Sequence, residues 1–373
     1  MKVLHITSHL EVGGVPRAVL SLARGLRARG DDVIIASGGG AWVASAEALG
    51  ASHWHAPLAT SAEFSPQVFA AARGLAARVR REPVDLLHGH TRVGQVVAAR
   101  LSRRLRIPYV VTWHGFFRPN LGRRLWPCTG DAAIAISEPV RQHLIQTFRV
   151  PSRRVHLVPH GIDPAPFESP IDPSAQQALR AQLGLQGTER IVGTMARLVP
   201  SKGVDQLIRS LPRIRERLPQ ARLVILGDGA ARGDLERLAV SLGVGGAVRF
   251  AGALTESRAA LSLMEVFVFI PADREGFGLS LLEAMASARP IVAIRRGGGA
   301  PWVLEQSHAG TLIEPDDPRA LAEAVCRWLD DPEAARREGE RGRAVVKAQF
   351  SYDHMIDRTR AVYQELLNGR PAR

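Results

Sequence analysis

The sequence predicts an α/β protein built from two doubly wound domains, each a parallel sheet with helices on both faces. Short apolar runs rich in β-branched residues alternate with helical segments, and this alternation occurs twice along the 373 residues. A Pro-rich segment at 164–173 separates the two series and is typical of a linker. We therefore place one domain at 1–168, a second at 174–350, and a C-terminal helical segment at 351–373 that packs back on the first domain.

The first domain is expected to hold six or seven strands. Six segments have the composition of buried strands: 2–7, 32–37, 84–90, 108–115, 131–137 and 154–163. A helix is expected to begin after Gly13 and Gly14 and to end near Gly30. The segment 65–82 predicts an amphipathic helix with several arginines, which could rest on an acidic membrane or simply pack on its own sheet.

The second domain repeats the alternation. Its expected strands are 190–198, 222–229, 247–252, 266–270, 290–294 and 311–314, and helices at 318–350 and 352–367 close the chain. The carboxyl edges of the two sheets should line a cleft between the domains, because open α/β sheets bind ligands at that edge.

Composition excludes several classes of protein. Hydrophobic residues make up 46% and charged residues 23%, as in folded domains, and no apolar run reaches the ~20 residues that cross a bilayer. The start MKVLHITSH predicts a first strand and not a signal peptide, and the only cysteines, Cys128 and Cys326, lack metal spacing. These features favour the cytoplasm. Residues 1–170 carry 21 Lys and Arg against 11 Asp and Glu, so the first domain should attract phosphates, an acidic membrane or nucleic acid.

The most informative stretch follows the apolar run 266–270. A loop holding Glu275 leads into a helix that Gly276 and Gly278 open and that carries Glu283. The helix N-terminus offers free N–H groups, and carboxylates accept hydrogen bonds from hydroxyls. The pattern predicts a site for sugar and phosphate, although two glutamates alone would more often lie on a solvated surface.

Other candidate residues lie at strand ends. Arg197 and Lys202 are separated by a strand-to-helix loop, where two cations can converge on one anion. The loop GDGAARG, starting at Gly227, resembles a phosphate- or base-lining turn but does not have the dinucleotide-binding spacing. His90 and His114 end two strands of the first domain, without the helical spacing of a metal site. No D-x-D motif occurs, which argues against a divalent-metal clamp.

In combination, these motifs resemble the retaining group 1 (family 4) glycosyltransferases, which have the GT-B fold of two Rossmann-like domains facing each other across a cleft. The resemblance covers nearly the whole chain. It depends on GGVPRAVLSLARGL, VTWHG, VPHGID, GTMARLVPSKG, LGDG, FAG and EGFGLSLLEAMA, which occur in the family's order.

The resemblance implies a nucleotide-sugar donor, a UDP- or GDP-sugar, held mainly by the second domain. Arg197 and Lys202 would bind its diphosphate, Glu283 its ribose, and Glu275 with the following amides its sugar. Those amides belong to Gly276, Phe277, Gly278 and Leu279, and Gly227 would also line the donor site. His114 would lie by the sugar and the leaving phosphate, and Gly14 would let the first domain approach the donor. We assign catalytic roles to His114, Glu275, Arg197 and Lys202.

The implied reaction moves a hexosyl or N-acetylhexosaminyl group, with retention, to a glycan or lipid-linked precursor of the cell surface. We expect no metal, no resident cofactor and no nucleic-acid partner. We also expect a cytoplasmic protein whose basic first domain can touch the inner face of the plasma membrane. Two departures from the family pattern, Trp302 after GGGAP and ASARP after Glu283, put the identity of the donor in question.

Two alternative functions remain. A nucleotide-sugar epimerase or isomerase would turn over the donor without an acceptor. A non-catalytic anion or nucleic-acid binder would show strongly salt-dependent affinity and no response to loss of Glu275 or Lys202.

Overall fold

The structure, a computed structural model, describes residues 1–254, 257–271, 273–296 and 298–369 and divides into two compact units. The first unit runs from Met1 to His160 and includes the segment from Tyr352 onward, and the second is Gly161–Ser351. Residues 161–168, which we had assigned to the first domain, therefore belong to the second unit. Residues 370–373 of the predicted C-terminal segment lie outside the described residues.

The first unit contains a seven-stranded parallel sheet. Its strands are β1 (Lys2–Ile6), β2 (Asp32–Ser37), β3 (Ser52–His55), β4 (Leu86–Gly89), β5 (Tyr109–Trp113), β6 (Ala132–Ala135) and β7 (Val155–Leu157). They are ordered β3-β2-β1-β4-β5-β6-β7. Strand β3 was not predicted, because its sequence SHWH has no apolar run and only Trp54 is buried.

Helices cover both faces of this sheet. They are α1 (Gly14–Ala28), α2 (Val43–Ala48), α3 (Pro66–Arg81), α4 (Arg92–Leu105), α5 (Leu121–Leu125) and α6 (Glu138–Phe148). Ser65 caps the N-terminus of α3, and its side chain accepts a hydrogen bond from the Val68 amide. The apolar side chains of α3 form one hydrophobic core with residues of α4 and of the sheet. The arginines of α3 are exposed. Of the two interpretations given for the segment 65–82, packing on its own sheet is therefore the one that applies to its apolar face.

The second unit contains a six-stranded parallel sheet ordered β10-β9-β8-β11-β12-β13. Its strands are β8 (Arg190–Met195), β9 (Ala221–Leu226), β10 (Val248–Gly252), β11 (Val266–Phe269), β12 (Ile291–Ile294) and β13 (Thr311–Ile313). These two sheets confirm the predicted doubly wound α/β class. In each one the unit's first strand lies beside its fourth, so the strand order reverses there.

Nine helices of the second unit lie within its described residues. They are α7 (Ala165–Glu168), α8 (Pro173–Gln182), α9 (Val204–Arg217), α10 (Arg232–Ser241), α11 (Arg258–Leu263), α12 (Leu279–Ala286), α13 (Gly299–Ser307), α14 (Pro318–Asp330) and α15 (Pro332–Gln349). The predicted helix 318–350 is two helices, because Asp331 caps α15 just before Pro332. The predicted linker contains α7. Glu168 of α7 forms an ion pair with Lys347, with 3.0 Å between Oε1 and Nζ.

The last helix, α16 (Tyr352–Asn368), packs on α1 of the first unit. A Cβ at Gly25 of α1 would lie 1.9 Å from Ile356 Cδ1, so the two helices pack closely at this glycine and a larger residue there would require Ile356 to move. Within the described residues, no helix combines the length and hydropathy needed to span a bilayer.

Candidate functional site

The second unit brings its predicted site residues to the point where its strand order reverses. Lys202 follows β8 and Glu275 follows β11, and these neighbouring strands point the same way. The Lys202 ammonium donates to Glu275 Oε1 at 2.6 Å, and both side chains are about one quarter exposed, at 23% and 25%. Two residues far apart in the sequence, each predicted to bind a different part of one ligand, thus form one half-open, charged contact that was not itself predicted.

Local backbone geometry places Lys202. A short 3₁₀ turn spans Pro200–Lys202, and Gly203 then takes a left-handed conformation with φ of 65° that starts α9. The loop bearing Glu275 reaches back towards this turn, since the Asp273 amide donates to the Ser201 carbonyl at 3.3 Å. The backbone of Lys202 therefore lies one residue before the cap of α9, next to the loop that carries Glu275.

The residues after Glu275 are mostly buried. Gly276, Phe277 and Gly278 have little exposure, and Gly278, with φ of 103°, leads into α12 at the half-buried Leu279. Phe277 as a whole residue is only 2% exposed, so its ring belongs to the interior of the unit.

Trp302 lies in an aromatic cluster behind that loop. Its ring centroid is 6.4 Å from that of Phe277 and 6.1 Å from that of Phe350. Phe277 and Phe350 are themselves 6.0 Å apart. Trp302 therefore packs with Phe277, which lies two residues after Glu275.

Gly298 and Gly299 also hold this loop, and the sequence analysis missed them. The Gly299 amide donates to the Glu275 carbonyl at 2.8 Å. A Cβ at Gly298 would lie 2.4 Å from that carbonyl oxygen, and one at Gly299 would lie 2.4 Å from the Gly276 oxygen. The run of three glycines at 297–299 was the available signal, and its first member, Gly297, lies outside the described residues.

Arg197 and Gly227 belong to two loops that pack on each other. The Leu198 amide donates to the Asp228 carbonyl at 2.9 Å. A Cβ at Gly227, which has φ of 127°, would lie 1.9 Å from the Ala196 oxygen. Gly227 is therefore required by packing, and the Arg197 side chain projects from its loop in an exposed position.

Glu283 is the fifth residue of α12 and is buried, with 1% exposure. One of its carboxylate oxygens, Oε2, accepts from the Ser257 hydroxyl at 2.9 Å. The structure therefore places Glu283 deeper than Glu275, in the buried part of α12.

The other two predicted residues lie in the first unit. Gly14 is the exposed first residue of α1, and a Cβ there would meet no atom within 4 Å. His114 follows β5 and is half-buried. Its Nε2 lies 3.3 Å from His90 Nδ1, and its Nδ1 lies 3.2 Å from His160 Nε2.

Further buried histidines extend this cluster. His5 Nδ1 lies 2.9 Å from His90 Nε2, and His88 bonds to Tyr363 and Thr112 through its two ring nitrogens. His5, His88 and His90 each bring one ring nitrogen within 4.8 Å of the others, a spacing that a metal ion could use. However, both nitrogens of His88 and of His90 already have protein partners, so hydrogen bonding accounts for the cluster.

Burial keeps these histidines neutral. It lowers the pKa of His5 to about 3 and that of His160 to about 4. Burial, together with neighbouring histidines, lowers the pKa of His88, His90 and His114 well below the usual 6.5. The cluster is therefore uncharged at neutral pH.

This burial predicts acid sensitivity. The unfolded chain protonates each of these histidines near pH 6.5, whereas the folded chain does not, so stability should fall as pH decreases from 6.5 towards 4. Each such histidine contributes a slope of about 1.4 kcal/mol per pH unit. Denaturant titrations between pH 8 and pH 4 would measure the slope, and His5→Gln should flatten it. A free energy of unfolding that is independent of pH below 6.5 would contradict neutral burial.

The first unit also has an open pocket of about 610 Å³ near the carboxyl ends of β1 and β2. Ser8, Glu11, Thr60, Arg92 and Arg123 contribute to its lining. Both arginines contact the carboxylate of Glu63, Arg123 at 2.9 Å, and Glu11 adds a second carboxylate to the pocket, so its two cations are balanced by two carboxylates.

Comparison with known proteins agrees with this architecture. The sequence profile described as Glycosyltransferase Family 4 matches residues 12–166, and that of Glycosyl transferases group 1 matches residues 175–345. A GDP-mannose-dependent alpha-(1-6)-phosphatidylinositol monomannoside mannosyltransferase of Mycolicibacterium smegmatis is 35% identical over 249 residues. That match covers 64% of this chain and 63% of the relative's length.

Solved structures show the same fold. A glycosyltransferase of Rickettsia africae superimposes with a TM-score of 0.89 at 18% identity, covering 99% of both chains. HepE of Anabaena in complex with UDP-glucose has a TM-score of 0.84 at 22% identity, covering 98% of this chain and all of that one. With the two profiles matching nearly its full length, the chain belongs to the group 1 (family 4) glycosyltransferases and has their GT-B fold.

Proposed function

We propose that the protein is a retaining glycosyltransferase that moves a hexosyl or N-acetylhexosaminyl group from a UDP- or GDP-sugar to a glycan or lipid-linked precursor. The observation that carries the proposal is the Lys202–Glu275 contact at the reversal point of the second sheet. A cation and a carboxylate beside helix N-termini suit a ligand that has both phosphates and hydroxyls.

The donor would open this contact. Lys202 would pass from Glu275 to the diphosphate, where Arg197 adds a second cation, and Glu275 would then accept hydrogen bonds from the sugar hydroxyls. The cations stabilise the negative charge that grows on the departing diphosphate, an effect worth several kcal/mol in a site that excludes water. This chemistry needs no metal ion and no resident cofactor.

The remaining predicted residues have supporting roles in the proposal. Glu283 would hold the ribose, while Gly227 and the backbone from Gly276 to Leu279 would line the donor site. The exposed Gly14 would leave room for a ligand beside α1, because a side chain there would occupy open space. His114, which burial keeps neutral, would act on the sugar or on the leaving phosphate.

The base and the sugar of the donor are proposed from two kinds of relative. The Mycolicibacterium smegmatis mannosyltransferase is named for its dependence on GDP-mannose, and the Anabaena structure contains UDP-glucose. These names support GDP- and UDP-hexoses as the first donors to test.

We place the acceptor in the open pocket of the first unit. Its hydroxyl-bearing residues Ser8 and Thr60 suit a polyol, and the guanidinium groups of Arg92 and Arg123 suit an attached phosphate. The name of the mannosyltransferase relative, which acts on a phosphatidylinositol mannoside, supports an acceptor of this class.

Contact with an anionic membrane is proposed for the exposed surface of α5. Leu121 and Leu125 are 74% and 77% exposed, and Arg118 and Arg124 are exposed beside them. Apolar side chains flanked by arginines can enter the headgroup region of an acidic cytoplasmic leaflet. We expect the protein to sediment with vesicles that contain anionic lipid, and Leu121→Ser with Leu125→Ser to reduce this binding several-fold. Equal sedimentation with neutral and anionic vesicles would contradict this.

A transfer assay tests the function. Purified protein would be incubated without metal with UDP-glucose, GDP-mannose or their N-acetylhexosamine counterparts, and with a phosphatidylinositol-type or oligosaccharide acceptor. We expect one donor to be consumed only when acceptor is present, and NMR of the product to show the donor's anomeric configuration. An inverted product would contradict retention, and donor turnover without acceptor would favour an epimerase.

A further inference from the structure

Four histidines of the first unit form a continuous chain of hydrogen bonds. His5 Nδ1 faces His90 Nε2 at 2.9 Å, His90 Nδ1 faces His114 Nε2 at 3.3 Å, and His114 Nδ1 faces His160 Nε2 at 3.2 Å. Every link joins an Nδ1 to an Nε2. The ring centroids are 5.2 to 5.6 Å apart and the rings are tilted by only 19° to 33°, as in rings joined edge to edge.

The fold explains why these rings meet. His5 on β1 and His88 on β4 are directly paired in the sheet, and His90 lies two residues beyond His88, on the same face. His114 follows β5, the next strand, and His160 follows β7. The row of hydrogen-bonded histidines therefore crosses the sheet. It starts where β1 and β4 meet, at the point where the strand order reverses, and it reaches His114 at the end of β5.

A chain of this kind couples the tautomers of its members. A neutral imidazole has one N–H donor and one bare nitrogen that accepts. Because each link joins an Nδ1 to an Nε2, either all the Nδ1 atoms donate or all the Nε2 atoms donate. The lowered pKa values described above keep all four rings neutral at pH 7.

The buried end of the chain decides the direction. His5 Nε2 is buried and has no hydrogen-bond partner among the described residues. If the Nε2 atoms donated, this end would be an N–H without an acceptor, which folded proteins rarely bury. If the Nδ1 atoms donate, the same atom is only an unused acceptor, so this second arrangement is favoured.

The surroundings strengthen the links. A cavity of only about 20 Å³ adjoins His90, His114 and His160, and its other walls are mainly apolar, including Ile134, Ile136 and Val158. Such a space holds at most about one water molecule. Little water therefore competes for the ring nitrogens, and hydrogen bonds in a low dielectric reinforce one another along the chain.

We infer that His5, His90 and His160 are positioning residues that hold His114 as the neutral Nδ1–H tautomer, with its Nε2 as the acceptor. The relevance to catalysis rests on the proposed function of His114. Because both ring nitrogens of His114 are engaged within the chain before a ligand binds, a sugar or phosphate group would act on this ring by replacing His90 at Nε2 or His160 at Nδ1. The fixed tautomer then decides that Nε2 accepts from such a group and that Nδ1–H donates to it.

The first test is a long-range ¹H–¹⁵N NMR spectrum of the ¹⁵N-histidine-labelled protein at pH 7.5, with metal content measured on the same sample. We expect His5, His90 and His114 to be neutral and protonated at Nδ1. An Nε2–H or mixed tautomer at His114, a charged ring, or a stoichiometric metal ion on His5 and His90 would overturn the inference. This spectrum does not depend on any activity.

The second test uses amide replacements in matched pairs. An Asn amide lies near the position of Nδ1 in histidine, and a Gln amide lies near that of Nε2. Because His90 faces His114 through Nδ1 and His160 faces it through Nε2, His90→Asn and His160→Gln preserve the link, while His90→Gln and His160→Asn do not. A requirement for ring volume alone would not produce this crossed pattern.

We expect each matching variant to keep at least about ten times more kcat than its mismatched counterpart, with similar KM. Wrong tautomers in the wild-type spectrum would refute the inference itself. Correct tautomers with four equally active variants would instead refute the proposed role of His114 in transfer, so the two failures can be told apart.

Discussion

Lys202→Ala and Glu275→Ala are each expected to lower the rate of sugar transfer by at least about two orders of magnitude while the protein stays folded. Lys202 is proposed to stabilise the departing diphosphate and Glu275 to hold the sugar, so both act where charge develops. Their ion pair is only one quarter exposed, so each single substitution also leaves a partly buried charge without its partner, and stability must be measured together with the rate. Initial rates and thermal unfolding of each variant would separate the two effects.

The matched control is Arg209→Ala, which removes another ion pair at the start of α9, with Asp205 at 3.7 Å. Its transfer rate should equal that of the wild type. Near-normal turnover by Lys202→Ala or Glu275→Ala would show that their contact is only structural.

Gly299→Ala is expected to impair both the donor site and stability. A Cβ at this position would lie 2.4 Å from the Gly276 oxygen and from Phe277 Cα, so the loop bearing Glu275 must move. The Gly299–Glu275 backbone hydrogen bond of 2.8 Å would be strained or lost. We expect destabilisation of about 1–3 kcal/mol and at least about tenfold weaker donor binding, measured by denaturant unfolding and by titration.

Gly246→Ala serves as the control, because a Cβ there meets no atom within 4 Å. It should change neither donor affinity nor, by more than about 0.5 kcal/mol, the free energy of unfolding. If Gly299→Ala behaved like Gly246→Ala, the loop would not depend on this contact.

Much of the fold could be predicted because strand-forming runs are apolar and separated by turn residues. Strand β11 is recognisable from its four buried residues, whereas the edge strand β3 buries only Trp54 and leaves no such pattern. The break at Asp331 has a local signal, the cap at Asp331 followed by Pro332, but it was missed because both flanking segments are strongly helical in sequence. Strand β3 differs, because its place at the edge of the sheet is not visible in the periodicity of its sequence.

The candidate site was predictable in part. Lys202 and Glu275 each occupy a strand-to-helix loop with glycines, and parallel topology explains why loops far apart in sequence meet. The contribution of Gly299 could not be predicted, because only coordinates reveal that a Cβ would strike the Gly276 carbonyl. The histidine chain was also hidden, since His5 lies within a strand and joins His90 only because β1 and β4 are neighbours.

The central claim is that the second unit binds a nucleotide sugar through Lys202 and Glu275. Calorimetric titration of the wild type and Lys202→Ala with UDP, GDP and their hexose conjugates, without metal, tests it most directly. We expect one nucleoside diphosphate and its conjugate to bind the wild type, and Lys202→Ala to bind both at least about tenfold more weakly, a loss of about 1.4 kcal/mol. Absence of binding by every nucleotide, or equal affinity in the variant, would contradict the claim.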